Sequence, residues 1–282
     1  PLEASFVYDM NDNLIGCYAK EFRIVLVESE IPELLQKAII ASEDSRFYSW
    51  YRIGIDPIAI FRAALANYMA GHTVEGASTL NQQVAKNGLL TPDRSFDRKI
   101  KEALLAIRME RKFTKQEILT LYVNTAYLGR GRYGFEAAAR AYFGTSVKDL
   151  KSEEVAYLVG LIKNPGINEP KFAEIARARK NRALSRMHAE GYISNEEYSR
   201  AYYATLKILP YRADCNNEAP YFIEEIRKTY KDKLPILGGG LHFYTTLNLE
   251  IQKKAEESLK AQLAVYRVRH PENAAKVEGA VI

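Results

Sequence analysis

Residues that bind metals or carry redox chemistry are scarce in this chain. Its 282 residues include two cysteines and four histidines. Cys17 and Cys215 lie far apart without a CxxC motif, and the histidines are scattered without an HExxH motif. These absences exclude a zinc ribbon and a thioredoxin-type redox site, and they argue against a zinc metalloprotease.

The chain also lacks a long apolar run and a strong excess of one charge. Its longest apolar stretch, Val155–Ile162, is far shorter than the roughly 18 residues that a membrane span needs. The net charge of +5 favours anionic partners without requiring nucleic acid, and we expect none. The composition, 47% hydrophobic and 27% charged, excludes fibrous and wholly disordered chains and indicates a protein with a buried core.

Neither an initiating Met nor a signal peptide begins the chain, and its last residues, 278–282, read as an interrupted strand. We therefore expect a piece of a longer protein.

Hydrophobic periodicity divides the chain into three parts. Residues 1–30 contain a predicted hairpin over Ser5–Tyr18 and a lead-in, residues 31–209 are helical almost throughout, and residues 210–282 differ in texture, so that we expect a boundary near residue 210. Within the third part we expect a strand at Leu241–Leu247 and a helix after it. The predicted helices of the central part begin at Pro32 and lie at Pro57–Met69, Ser78–Asn87, Ser95–Arg111, Lys115–Tyr127, Gly134–Phe143, Ser152–Ile162, Ala173–Glu190 and Ser194–Ala204.

Three surfaces are predicted from these helices. Pro57–Met69 is apolar nearly all round, so we expect part of its surroundings to contact lipid. Residues 241–282 carry an apolar helix face, so we expect them to be poorly ordered or to pack on the main module or a neighbouring chain. The helix Ala173–Glu190 is strongly basic, which indicates either a solvated face or a surface for an anionic membrane.

Two carboxylates, Glu43 and Asp44, end the first of these helices. Negative charge at a helix C-terminus opposes the macrodipole, and the apolar neighbours Ala41 and Phe47 would partly desolvate it. Both effects raise a carboxylate pKa toward the range of a general base. The alternative is a pair of solvated surface acids.

Residues 76–87 form a second feature, a Gly-Ala-Ser-Thr helix start. Free N–H groups at a helix start favour anions, and Thr79, Gln83 and Lys86 share one helical face. A hydroxyl, an amide and an ammonium group on one face suit a sugar phosphate. The alternative is a capped helix with an ordinary polar side.

A third feature places Arg98, Lys99 and Glu102 on one flank of a helix. The apolar residues Ile100, Ala103, Leu104 and Ile107 predict the buried face of this helix. The alternative for the flank is ordinary helical ion pairing. Together, the three features supply carboxylates, a helix-start anion site and several cations, which suits displacement of a pyrophosphate from a sugar.

Five motifs in this order resemble those of glycosyltransferase family 51, the peptidoglycan glycosyltransferase module of class A penicillin-binding proteins. The resemblance covers about residues 5–205. Residues 206–282 resemble the linker and first elements of the transpeptidase domain of that class, whose SxxK and KTG signatures are absent here. The motifs are Glu43-Asp-Ser-Arg-Phe47, residues 76–87, Arg98-Lys-x-x-Glu102, Tyr127-Leu-Gly-Arg-Gly-Arg-Tyr-Gly134 and Lys163-Asn-Pro165.

The resemblance implies a mainly α, lysozyme-like fold of two lobes, with a short N-terminal β-hairpin and a small α+β C-terminal segment. It implies polymerisation of lipid II into peptidoglycan strands, with inversion, on the outer, periplasmic face of the bacterial cytoplasmic membrane. Its expected partners are lipid II, the lipid-linked glycan chain, the membrane surface and other cell-wall synthesis proteins.

The resemblance also implies roles for single residues. Glu43 would be the base that deprotonates the acceptor 4-hydroxyl. Glu102 would lie by the donor pyrophosphate, where it is a possible ligand of a divalent metal (Mg or Mn). Lys86, Arg98 and Lys163 would carry the phosphate charge. The other substrate-binding residues that it implies are Asp44, Ser78, Thr79, Gln82, Gln83, Lys99 and Arg132.

One departure concerns the first motif, which in the family usually carries a His seven residues after the Glu. Trp50 stands at that position here, and Gly54 arrives two residues late. Two other function classes remain open: a lysozyme-like enzyme that cleaves glycans with Glu43 as its acid, and a non-catalytic module that only binds lipid II.

Overall fold

The computed structural model describes residues 2–19, 21–49, 51, 53–72, 76–89, 96–168, 172–210, 218–271 and 278–279. The chain divides into two units, one of Glu21–Tyr211 and one of Leu2–Lys20 with Arg212–Ile282. The elements in chain order are β1 Ser5–Tyr8, β2 Leu14–Tyr18, β3 Phe22–Arg23, α1 Glu33–Glu43, α2 Pro57–Ala70, α3 Leu80–Leu89, α4 Phe96–Lys112, α5 Lys115–Thr125, β4 Arg132–Tyr133, α6 Phe135–Phe143, α7 Ser152–Leu161, α8 Ala173–Ala189, α9 Asn195–Tyr203, α10 Pro220–Tyr230, β5 His242–Tyr244 and α11 Leu249–Arg269.

In its described residues, the first unit is helical apart from the short parallel pair β3–β4, which confirms the predicted mainly α fold class. Its core forms where α1, α7 and α8 pack together and α5 and α6 close one side. The apolar run predicted at Val155–Ile162 lies in α7, whose side chains are nearly all buried. That run therefore serves the protein core, and no helix in the described part of the chain is both long enough and apolar enough to cross a membrane.

The second unit contains the predicted hairpin. β1 pairs antiparallel with β2 and parallel with β5, so that Val7 faces Gly16 on one side and Phe243 on the other. Val7 and Ile15 pack with Ile223 of α10, a helix that the sequence analysis did not predict. The predicted division into 1–30, 31–209 and 210–282 stays a prediction about domains, but the structure groups the hairpin with the C-terminal part of the chain.

The ends of the second unit are only partly packed. β5 is held by β1, whereas α11 has no buried residue, and its Leu259 and Leu263 are half-buried. Cys17 is buried and disulfide-bonded. Cys215, the only other cysteine of the sequence, lies outside the described residues, as does most of the predicted strand at 278–282.

The predicted buried face of α4 is wrong. Ile100 and Leu104 are 46% and 54% exposed, whereas Glu102, Ala106 and Met109 are buried. The reason is the partner helix: α4 packs on α3, whose Asn81 donates to the Ala106 carbonyl and to Glu110. Apolar spacing identifies a face of a helix but does not determine which face meets the core.

The loop between α1 and α2 approaches α4 through a glycine. Gly54 has a φ of +93°, and a Cβ atom on it would lie 2.2 Å from the carbonyl oxygen of Ala106. Its own carbonyl accepts a hydrogen bond of 2.7 Å from the Thr79 hydroxyl. Gly54 therefore fits tightly between α3 and α4, even though it comes later in the motif than is usual in the family.

We expect Gly54→Ala to lower the free energy of unfolding by more than about 3 kcal/mol, because strain at positive φ adds to a backbone clash. The matched control is Gly71→Ala at the end of α2, where φ is +69° but a Cβ atom would meet nothing within 4 Å. That variant should lose only about 1 kcal/mol. Urea unfolding of both variants checks the difference, and equal losses would contradict the close approach of Gly54 to α4.

Candidate active site

Glu43 is the last residue of α1, and its side chain is only 4% exposed. Desolvation raises the pKa of its carboxyl group, and Asp44 raises it further. Lys163, a hydrogen bond from Gln83, and Arg186 act in the opposite direction without cancelling the increase. The direction agrees with the expectation from sequence, and it suits a group that must accept a proton near neutral pH.

A chain of hydrogen bonds leads from the core to this carboxylate. The Tyr122 hydroxyl on α5 donates to Gln83 Oε1 at 3.2 Å, and Gln83 Nε2 donates to Glu43 Oε2 at 2.9 Å. Tyr122 is fully buried, and burial raises the pKa of its hydroxyl well above the usual value. Gln83 was predicted to bind substrate, and in the structure it holds the candidate base.

Asp44 joins the end of α1 to the start of α3. Its Oδ2 accepts a hydrogen bond of 3.0 Å from the backbone N–H of Leu80, the first residue of α3. A carboxylate at a helix N-terminus is stabilised by the free N–H groups and the macrodipole. Asp44 therefore fixes the position of α3, and through it Gln83, relative to Glu43.

Thr79 and Gln82 form a reciprocal cap at the same helix start. Thr79 N donates to Gln82 Oε1 at 3.1 Å, and Gln82 N donates to Thr79 Oγ1 at 3.2 Å. Both side chains are buried, and the Thr79 hydroxyl also donates to Gly54. The resemblance implies that both residues bind substrate, which stays a prediction. The structure adds a capping role, because a Thr three residues before a Gln satisfies helix-start groups.

Cations from α8 and from the segment after α7 lie on the other side of Glu43. Lys163 Nζ lies 3.9 Å from Glu43 Oε1, and Arg186 donates to the carbonyl of Ser42. Sequence reasoning assigned the α8 arginines to a solvated or membrane-facing surface and missed this arrangement. The sequence feature that could have predicted it is the spacing of Arg179, Arg182 and Arg186, which puts them on one helix face. The open cleft here is lined by Ser42, Glu43, Val159, Gly160, Lys163, Arg179, Arg182, Ala183 and Arg186.

A second cluster contains Ser78, Lys99 and Glu102. The buried Glu102 accepts a hydrogen bond from Lys99 Nζ, which also donates to Ser78 Oγ at 3.1 Å. In the described residues, no group of three acidic, His or Cys side chains is arranged to hold a metal ion. The divalent metal expected at Glu102 therefore stays a prediction.

The remaining predicted residues are spread over three elements. Lys86 is exposed on α3, and Arg98 is half-buried on α4. Arg132 is buried in β4 with its guanidinium 4.4 Å from the centre of the Phe22 ring, a cation–π contact, and its role in substrate binding stays a prediction. Trp50, at the position of the family's His, lies outside the described residues.

Comparisons with known proteins identify the family of this chain. A family model described as Transglycosylase matches residues 11–188. Penicillin-binding protein 1A of Aquifex aeolicus (strain VF5) is 42% identical over 266 residues, which is 93% of this chain and 36% of that protein. Penicillin-binding protein 1A of Escherichia coli (strain K12) is 39% identical over 267 residues, 94% of this chain and 31% of that protein.

A solved structure supports the fold. The crystal structure of penicillin-binding protein 1A from Haemophilus influenzae matches 95% of this chain and 30% of that chain, with a TM-score of 0.52 and 24% identity. The chain thus spans about a third of the length of these relatives. Because the family match includes Glu43, Gln83, Glu102 and Lys163 and extends over more than half of the residues, the chain belongs to the transglycosylase family.

Proposed function

We propose that this chain polymerises lipid II into peptidoglycan strands by inverting glycosyl transfer, with Glu43 as the general base. The observation that carries the proposal is a single buried carboxylate whose pKa is raised by desolvation, held by Gln83 and faced by Lys163. Membership of the transglycosylase family, and the similarity to penicillin-binding proteins 1A, support the reaction class and the substrate.

The proposed reaction forms one bond and breaks another. Glu43 removes the proton of the acceptor 4-hydroxyl as that oxygen attacks the anomeric carbon of the lipid-linked sugar chain. The bond from the anomeric carbon to the phosphate oxygen breaks, and undecaprenyl pyrophosphate leaves with the electron pair. The proton rests on Glu43 until solvent removes it. A buried carboxylate suits this role because desolvation makes its ionised form a stronger base.

The leaving pyrophosphate needs positive charge. Lys163 and the α8 arginines supply it within the Glu43 cleft, and Lys86, Arg98 and Lys99 supply it along α3 and α4. Cations held in a partly dry cleft stabilise developing negative charge more strongly than they would in water. A neutral glycan would not require them, which favours glycosyl transfer over the lysozyme-like cleavage alternative.

α2 exposes large apolar side chains. Ala59 and Ala63 are its buried residues, whereas Phe61 and Met69 are 73% and 78% exposed. The exposed Ile100 and Leu104 of α4 add a second apolar face within the same unit. We propose that these faces contact lipid at the outer surface of the membrane, where a lipid-linked substrate would be found.

The base is tested by Glu43→Gln, which keeps the size and hydrogen bonding of the side chain but cannot accept a proton. We expect turnover of lipid II to fall by at least about 10²- to 10⁴-fold, the usual contribution of general-base catalysis. The matched control is Glu33→Gln at the exposed start of the same helix, which should keep wild-type turnover. Near-normal turnover in Glu43→Gln would rule out Glu43 as the base, and normal binding without turnover in the wild type would favour the non-catalytic alternative.

Thermal unfolding separates chemistry from folding in the same variant. The folded-state pKa of Glu43 lies above its usual 4.5, so ionisation weakens the fold as pH rises through the interval between the two values. Glu43→Gln removes this cost. Its melting temperature should match the wild type at about pH 4 and exceed it at about pH 8. If Glu43→Gln melts at a lower temperature than the wild type at both pH values, unfolding accounts for the lost activity.

The cationic site is tested by Lys86→Ala. Lys86 is exposed on α3, so the fold should survive its removal while turnover falls by about 10- to 100-fold or more, the loss of one charge on a leaving group. Lys207→Ala, an exposed lysine after α9, is the matched control and should retain turnover. Unchanged polymerisation by Lys86→Ala would remove this residue from the mechanism.

Lipid contact is tested by Phe61→Asp in a vesicle-sedimentation assay with phospholipid vesicles. If the Phe61 side chain is buried in lipid when the chain binds, its replacement should weaken the partition of the chain onto vesicles by about 10-fold or more. Val268→Asp in α11 replaces an apolar residue of similar exposure, 83%, and should bind like the wild type. Equal binding by all three proteins would contradict the contact of α2 with lipid.

A further inference from the structure

We propose that Tyr122 is a positioning residue for Glu43, which acts through Gln83 by fixing the orientation of the Gln83 amide. This inference rests on the proposed role of Glu43 as the base. It concerns a residue outside the set that sequence analysis predicted, and it gives the hydroxyl of a fully buried tyrosine a role in the reaction.

The first step of the argument is the direction of the hydrogen bonds. A Gln amide can turn so that either its oxygen or its nitrogen faces a neighbour. With Gln83 Oε1 accepting from the Tyr122 hydroxyl at 3.2 Å, Nε2 is left to donate to Glu43 Oε2 at 2.9 Å. The reverse orientation would place two acceptors, Gln83 Oε1 and the Glu43 carboxylate, against each other.

The second step explains why Tyr122 donates. Its side chain is fully buried, and Glu43 and Asp44 both act on it electrostatically in the direction that retains its proton. Negative potential at the hydroxyl oxygen keeps the proton on it, and this is the proton that Tyr122 donates to Gln83 Oε1. Tyr122 therefore stays a donor over the working pH range, and the amide of Gln83 is held with its nitrogen toward the base.

The third step is the electrostatic balance at Glu43. The groups that face it are Asp44 on its own element, Gln83 on α3, Tyr122 on α5, Lys163 after α7 and Arg186 on α8, with Arg179 and Arg182 also lining the cleft. Of these, Gln83 donates a hydrogen bond to the carboxylate, whose side chain is only 4% exposed. If the Gln83 amide lost its orientation, the ionised form of Glu43, which a base requires, would be disfavoured.

The experiment compares Tyr122→Phe, Gln83→Met and the double variant in the chain of residues 1–282. The acid limb of kcat/KM for lipid II polymerisation reports the base of the free enzyme. We expect this limb to move to higher pH, by about one pH unit in Gln83→Met and by part of that in Tyr122→Phe, as expected for loss of a hydrogen bond to a charged group. The double variant should match Gln83→Met alone, because Tyr122 acts through Gln83.

The matched control is Tyr142→Phe. Tyr142 is equally buried, and its hydroxyl donates to the carbonyl of Leu128 at 2.8 Å, away from the base. Its variant loses a buried hydrogen bond in the same way but should leave the acid limb unmoved. A purely structural role for Tyr122 predicts a lower kcat in Tyr122→Phe with the acid limb at its wild-type pH. That result would overturn the proposal. A double variant whose shift equals the sum of the shifts of Tyr122→Phe and Gln83→Met would also overturn it.

A direct titration keeps the test independent of turnover. In protein labelled with carboxyl-¹³C glutamate, the Glu43 resonance is identified by its absence in Glu43→Gln. Its titration midpoint should rise in Tyr122→Phe and Gln83→Met but not in Tyr142→Phe. If lipid II is not polymerised yet the midpoint moves as expected, the proposed function fails and the positioning role stands. If the midpoint does not move, the positioning role fails whatever the turnover.

Discussion

The structure depends on one unfavourable placement, a carboxylate buried at the C-terminal end of a helix. Glu43 meets the negative end of the α1 dipole and is almost fully shielded from water. Such a charge persists only if its neighbours supply compensating hydrogen bonds and cations. The amide of Gln83, the ammonium group of Lys163 and the guanidinium of Arg186 provide them from three other elements. The positions of α3, α7 and α8 are thus tied to the requirements of one side chain.

Much of the remaining polar structure holds that arrangement in place. Asp44 accepts the first N–H of α3, and Thr79 connects the start of that helix to Gly54. On the other side, Gly160 lets α7 approach α8 so closely that a Cβ atom there would lie 3.2 Å from Arg179. Adjacent residues in sequence, such as Glu43 and Asp44, thus make different contacts: Glu43 accepts from the Gln83 side chain, and Asp44 accepts from the backbone of Leu80.

The first unit exposes large apolar side chains on two of its helices. α2 keeps two alanines buried and exposes large side chains, and α4 exposes Ile100 and Leu104 while burying Glu102. Both helices invert the usual distribution of a soluble protein. The inversion leaves large apolar side chains of both helices on the surface of the first unit.

The sequence by itself determined the helices of the central part, the N-terminal hairpin and the identity of Glu43 as the candidate base, because these depend on local periodicity, caps and motif spacing. It did not predict α10, the pairing of β1 with β5 or the buried face of α4, since these depend on which distant element supplies a partner. Residue types alone left an anion site and a capped helix open at residues 76–87, because a capping pair and a binding face carry the same residue types, and the structure shows the capping hydrogen bonds of Thr79 and Gln82. Only the tertiary structure brought Tyr122, Gln83 and Glu43 into one hydrogen-bonded chain, because residues 39 and 40 positions apart meet only when α1, α3 and α5 pack together.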